Sequence, residues 1–213
     1  LVCQTQEALE YFPQNIQKKA VVILNPVKEN LPERWQGERR KEIVNFCRLE
    51  KQKNLPLLIE AFCEFHKKHA DYTLAIYGDG KERESLEEYI RNRKLDDCVT
   101  LHHAVSDIHD HIKDAMMFVS SSNYEGLSNS MIEAMAIGLP TICTDCPCGG
   151  ARMVIRDGEN GLLVSTEKRT ELSQAMCEIA DNSNLRFALS IEGEKIREKL
   201  SKNNIVSEWI RLF

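Results

Sequence analysis

From residue 20 onward, short apolar runs alternate with longer stretches of helical period, and that alternation restricts the fold more than any other feature. "AVVIL" (20–24), "EIVNFC" (42–47), "YTLAIYG" (72–78), "CVTLHH" (98–103), "MMFVSSS" (116–122), "PTICT" (140–144) and "GLLVS" (161–165) read as strands. Between them lie helical periods. In "NLPLLIEAFCEFHKKH", Leu55, Leu58, Ile59, Phe62 and Phe65 share one face. From Thr166 the chain reads helical. Such alternation implies an α/β domain with a doubly wound parallel sheet covered by helices on both faces. Ligands of such sheets bind beyond the carboxyl ends of the strands, near the point where strand order reverses. The loops to inspect are therefore 47–53, 78–82, 102–107, 121–130 and 144–152.

Composition narrows the class. The 213 residues are 42% hydrophobic and 29% charged, a globular profile, and the net charge of −5 argues against binding nucleic acid through overall charge. No apolar run reaches the roughly 20 residues of a membrane span. The first residues, "LVCQTQEALEYF", have neither the basic region nor the apolar core of a signal peptide and lack an initiating Met, which suggests the cut end of a longer chain. Eight scattered cysteines read as free thiols of a reducing cytoplasm.

The stretch "NYEGLSNSMIEAMAIGLP" (123–140) holds the most chemistry. Ser128 or Asn129 is an N-cap for a helix over 129–137, and Gly138 with Pro140 stops it. The free N–H groups near Gly126 to Ser130 then form an anion site. Glu125 precedes the helix, where an acid also simply complements the dipole. Glu133 fits that reading less well. Its neighbours Met131, Ile132, Ala134 and Met135 are apolar, so its carboxylate needs a partner, and ligand hydroxyls suit an acceptor-only group.

Other loops carry weaker signals. Arg48, Lys51 and Lys53 follow a strand and suit a diphosphate, or form a solvated basic turn. "YGDGKERES" has Gly-x-Gly after a strand, but Arg83 stands where a dinucleotide fingerprint needs its third glycine, so a tight turn explains it. Cys143, Cys146 and Cys148 match no common zinc spacing. His109 and His111 point different ways on a helix and read as surface residues. Val206, Trp209, Ile210 and Phe213 form a stripe on the tail that should dock, on this domain or on a missing one.

Five segments stand in an order that resembles the donor half of a retaining GT-B glycosyltransferase, in glycosyltransferase family four. They are "ILNPV" (23–27), "CRLEKQKNLPLLIEAF" (47–62), "IYGDGKERESLEEYI" (76–90), "EGLSNSMIEAMAIGLPTICTD" (125–145) and "RDGENGLLV" (156–164). The resemblance implies that Arg48 and Lys53 hold the donor diphosphate. It implies that Glu125 lies beside the transferred sugar, orienting it rather than attacking it. Gly126, Leu127, Ser128 and Asn129 would meet sugar hydroxyls and phosphate through their amides, Glu133 the ribose, and His103, Ala104 and Val105 the base edge. The family has glycine where Cys47 and, often, His103 stand, and commonly proline and glutamate where Ala151 and Met153 stand.

The implied domains are 1–19, the end of an acceptor domain with its linker; 20–200, the Rossmann-like nucleotide-sugar domain; and 201–213, a helix starting back toward the first domain. The implied function is retaining transfer of a hexose from a nucleotide diphosphate sugar, most simply a UDP-sugar, to a glycan or lipid-linked acceptor in bacterial surface polysaccharide synthesis. No cofactor or metal is required, and nucleic acid is no partner. The setting would be cytoplasmic, with the full-length enzyme peripheral at the inner face of the membrane. A nucleotide-sugar-binding module inactive as an isolated chain, and a GT-B epimerase, are the alternatives.

Overall fold

Consecutive apolar residues along a strand place side chains on both faces of a sheet, so helices must cover both. In the strand Arg40–Phe46, Ile43 joins the core on one face and Val44 the core on the other. The computed structural model describes residues 1–213. Its strands are β1 (Val2–Cys3), β2 (Val21–Val22), β3 (Arg40–Phe46), β4 (Thr73–Tyr77), β5 (Val99–His102), β6 (Ala115–Ser120), β7 (Thr141–Thr144) and β8 (Leu162–Val164). Its α-helices are α1 (Gln6–Glu10), α2 (Gln14–Gln17), α3 (Leu55–His66), α4 (Arg83–Asn92), α5 (Ile108–Ile112), α6 (Asn129–Ala136), α7 (Gly150–Val154), α8 (Arg169–Asp181), α9 (Ser183–Glu194), α10 (Ile196–Lys199) and α11 (Lys202–Ile210).

Six strands form one parallel sheet in the order β5-β4-β3-β6-β7-β8. The chain builds outward from β3 through β4 to β5, then returns to the other side of β3 at β6. That reversal opens a crevice at the carboxyl ends of β3 and β6. The two cores hold 26 and 25 buried residues, so neither face is left to solvent. One includes residues of α3, α4 and α8, the other residues of α5, α6 and α7. Phe62 and Phe65 of α3 are fully buried, each contributing about 1.5–3 kcal/mol by burial. The doubly wound α/β fold read from the sequence is the fold observed.

One local expectation changes, and a second is narrowed to one of its two alternatives. Of "AVVIL", only Val21–Val22 is strand, and it pairs with Val2–Cys3 in a separate parallel pair rather than with the main sheet. The next residues leave the ladder because Ile23 and Val27 plug into the core beside α6, and Val27 N donates to Leu200 O at 2.8 Å. The pair therefore joins residues on either side of the expected 19/20 boundary. The tail stripe does not dock within this chain: Val206, Trp209, Ile210 and Phe213 are exposed, Phe213 fully. The phase of α11 turns Ile205 inward instead, at 3% exposure.

Candidate functional site

The turn after β3 is built by backbone contact with the turn after β4. Cys47 N donates to Tyr77 O, Leu49 N to Asp79 O and Glu82 N to Leu49 O. A Cβ on Gly78 would lie 1.8 Å from Cys47 O, and one on Gly80 2.3 Å from Leu49 O. Gly-Asp-Gly thus serves this close approach, as a tight turn does. The chain then forms a 3-10 turn, Lys51–Lys53, and Asn54 takes a left-handed φ of 45° to enter α3.

That turn is stitched to the loop after β6. Ser121 Oγ donates to Lys53 O at 2.8 Å, Asn54 Nδ2 to Asn123 Oδ1 at 2.7 Å and Gln52 Nε2 to Tyr124 O at 2.9 Å. The loop after β7 supports the same segment. Thr144 Oγ1 donates to Ser122 O at 2.6 Å, and Glu125 N to Pro147 O at 2.7 Å. A Cβ on Gly150 would fall 1.9 Å from Gly126 O, so these two loops meet backbone to backbone. By contrast, a Cβ on Gly126 would meet only Gln4 Oε1, at 3.6 Å.

Within this frame Lys53, 9% exposed, forms an ion pair with Glu125. The sequence reading gives these two side chains different tasks, diphosphate and sugar; the structure puts them in direct contact. A buried ammonium needs such a partner because desolvation of an unpaired charge is costly. Arg48 is exposed and lies elsewhere on the turn, lining a cleft that Ser130 and Glu133 of α6 also line.

Ser128 is the N-cap of α6, its Oγ accepting from Met131 N at 3.4 Å. Asn129 Oδ1 accepts from Asn25 Nδ2 at 3.1 Å. On either side, the amides of Glu125 and Met131 are satisfied by the chain. Those of residues 126–130 donate to none of its groups, and the Leu127 side chain is buried. Five unspent donors at the positive end of a helix can receive an anion.

One turn into α6, Glu133 faces a cleft of about 360 Å³ lined also by Phe46, Arg48, Tyr77, Ala104, Val105 and Ser130. The structure therefore brings Arg48, Glu133, Ala104 and Val105 around one space. Lys53 and Glu125 lie outside that lining, beyond the start of α6. His109 corrects the sequence reading. It is buried at 5%, and its Nε2 lies 2.9 Å from Glu133 Oε2. His111 does face outward, as the two-residue spacing requires, and pairs with Asp107 at 3.3 Å. The signal that could have found it is Ile108 and Ile112, whose four-residue spacing marks the inward face of α5 beside His109.

Asp79 is the other residue that sequence reasoning passed over. Its carboxylate accepts from Ala104 N at 2.9 Å and contacts His103 Nδ1 at 2.6 Å, fixing the 103–105 loop. The Ala104 N–H, and next the His103 ring, hold the Asp79 carboxyl below its ordinary range. Arg83 ties the same corner, donating to Gly78 O and His102 O. Tyr77 stacks on His102 with ring centroids 4.5 Å apart. His103 is thus engaged with Asp79, while Ala104 and Val105 line the cleft.

The thiols divide by burial. Cys47 lines the cleft, and desolvation pushes its thiol up to about 12. Desolvation likewise raises buried Cys143, and Cys146 to about 11, whereas Cys148 is exposed. No three His, Cys, Asp or Glu side chains gather to hold a metal. Ala151 and Met153 sit on α7, Ala151 buried and Met153 packed against the core. No helix is long and apolar enough to cross a membrane.

A doubly wound parallel sheet with cations, a capped helix and two carboxylates near its reversal point defines a Rossmann-like domain. More narrowly, residues 27–196 match the family model of the glycosyl transferases group 1, and the chain belongs to that family. It is 28% identical over 209 residues to a poly(glycerol-phosphate) alpha-glucosyltransferase of Bacillus subtilis, covering 98% of this chain and 30% of that protein. It is 28% identical over 215 residues to a poly(ribitol-phosphate) alpha-N-acetylglucosaminyltransferase of Staphylococcus aureus, covering 100% of this chain and 43% of that protein. A crystal structure of a mutant S. aureus TarM in complex with fondaparinux, alpha-GlcNAc-glycerol and UDP superposes with a TM-score of 0.88 at 25% identity, covering 99% of this chain and 43% of that one. The chain thus spans less than half the length of these relatives.

Proposed function

We propose that the chain is the donor-binding half of a hexosyltransferase that uses a UDP-sugar and retains configuration at the anomeric carbon. The observation that carries this reading is the single cleft shared by Arg48 and Glu133, next to the unspent amides of residues 126–130. A nucleoside diphosphate has the matching order of groups: base, vicinal hydroxyls, then two phosphates. Ala104 and Val105 would border the base, Glu133 accept from the ribose hydroxyls, and Arg48 with the α6 amides meet the diphosphate. Lys53, paired with Glu125, would meet the β-phosphate next to the sugar, where Glu125 would orient the hexose.

In this reaction the bond from the anomeric carbon to the β-phosphate oxygen breaks, and that oxygen keeps the electron pair. The acceptor hydroxyl oxygen bonds to the carbon on the same face, and its proton passes to the departing phosphate. Arg48, Lys53 and the preorganised amides stabilise the growing negative charge more than the ground state. UDP in the TarM complex supports a uridine donor, and the poly(glycerol-phosphate) and poly(ribitol-phosphate) transferases of two bacteria support a polymeric acceptor, which we take to be a surface polymer.

The test is a titration of the chain with UDP-, GDP- and ADP-sugars, followed by transfer assays on the chain and on a full-length version. The expected result is tightest binding of UDP-sugars by both and transfer only by the longer protein. Binding of no nucleotide sugar would overturn the reading.

A further inference from the structure

Glu133 does not meet the cleft as a free carboxylate. Its Oε2 lies 2.9 Å from His109 Nε2. A carboxylate offers only acceptors, so the ring nitrogen is the donor. His109 is itself held. It comes from the buried face of α5, between Ile108 and Ile112, and its ring stands edge-on to Phe46 with centroids 5.7 Å apart. Phe46 and Ile108 also line the cleft, so the wall that would receive the nucleoside fixes the imidazole.

We propose that His109 is a positioning residue for nucleoside recognition. By occupying Oε2 it fixes the rotation of the carboxylate and leaves Oε1 to accept from the vicinal hydroxyls of the ribose. The assignment rests on the ribose role of Glu133 proposed above. A glutamate without this bond has three free torsions to order on binding, and prior ordering removes that cost. The arrangement resembles a second layer of support behind a binding group, which sets geometry without touching the ligand.

The experiment compares UDP, 2′,3′-dideoxy-UDP and inorganic pyrophosphate by calorimetric titration. His109→Phe keeps a ring against Phe46 and removes the donor, and His109→Gln returns an N–H close to the Nε2 position. Thermal melting checks folding, and His109→Leu replaces the Phe variant if that one does not fold. The wild-type chain is expected to prefer UDP to the dideoxy analogue by about ten-fold or more. His109→Phe should lose most of that preference by weakening UDP alone, with pyrophosphate and the dideoxy analogue unchanged, and His109→Gln should recover most of it. Equal weakening of all three ligands, or no change in any, would overturn the positioning role. Equal binding of UDP and dideoxy-UDP by the wild-type chain would instead remove the ribose role of Glu133, and the His109 assignment with it.

Discussion

Lys53 shows how much a single residue's surroundings decide. In the sequence it is one of three cations in a turn; in the structure it is the buried one, paired with Glu125, while Arg48 and Lys51 are exposed. Charge and position after a strand were legible, but the pairing was not, because 72 residues separate the partners. Glu133 is similar. Its apolar neighbours announced a carboxylate in need of a partner, but where a ligand was expected the structure supplies a residue, His109, at one of the two oxygens. Cys47 carries a prediction at this scale. Burial raises its thiol to about 12, so at pH 8 it is almost wholly the unreactive thiol. Exposed Cys148 should therefore react with iodoacetamide well before Cys47, as peptide mass spectrometry of a timed alkylation would show. Cys47 modified first would contradict its half-buried, desolvated environment.

At the scale of elements, α6 and the loops behind it were read with uneven success. The helix runs 129–136 against an expected 129–137, because an N-cap serine and a stop glycine are local signals. The support from Pro147 and Gly150 was invisible, since it depends on two loops from neighbouring strands meeting edge to edge. Gly150 should be indispensable for this contact. Gly150→Ala puts a Cβ 1.9 Å from Gly126 O, where backbone must shift, at a cost of about 1–3 kcal/mol. Gly126→Ala meets no such obstacle and should cost under about 0.5 kcal/mol. Thermal denaturation of the two variants compares them directly. Equal melting temperatures would show that the two loops are not held together as described.

For the whole molecule, the doubly wound sheet was legible because strand and helix periods differ so clearly. The rule that ligands bind beyond the carboxyl ends of the strands left five loops to inspect, and the strand order with its reversal between β3 and β6 came only with the structure. Long-range choices were not legible. Val21–Val22 pairs with Val2–Cys3, and α11 turns Ile205 rather than its apolar stripe toward the core. Accordingly Ile205→Ala should cost about 2–5 kcal/mol, whereas Ile210→Ala, at an exposed position, should stay within about 0.5 kcal/mol. Chemical denaturation of both variants reads this, and equal losses would mean that the stripe is covered in solution. The central claim is that the crevice at the β3–β6 reversal binds the diphosphate of a nucleotide sugar. Calorimetric titration of UDP into the wild-type chain, Arg48→Ala and Lys53→Ala tests it most directly. The account predicts saturable one-to-one binding, weakened ten-fold or more in each variant, about 1.4 kcal/mol. Unchanged affinity in both variants would contradict it.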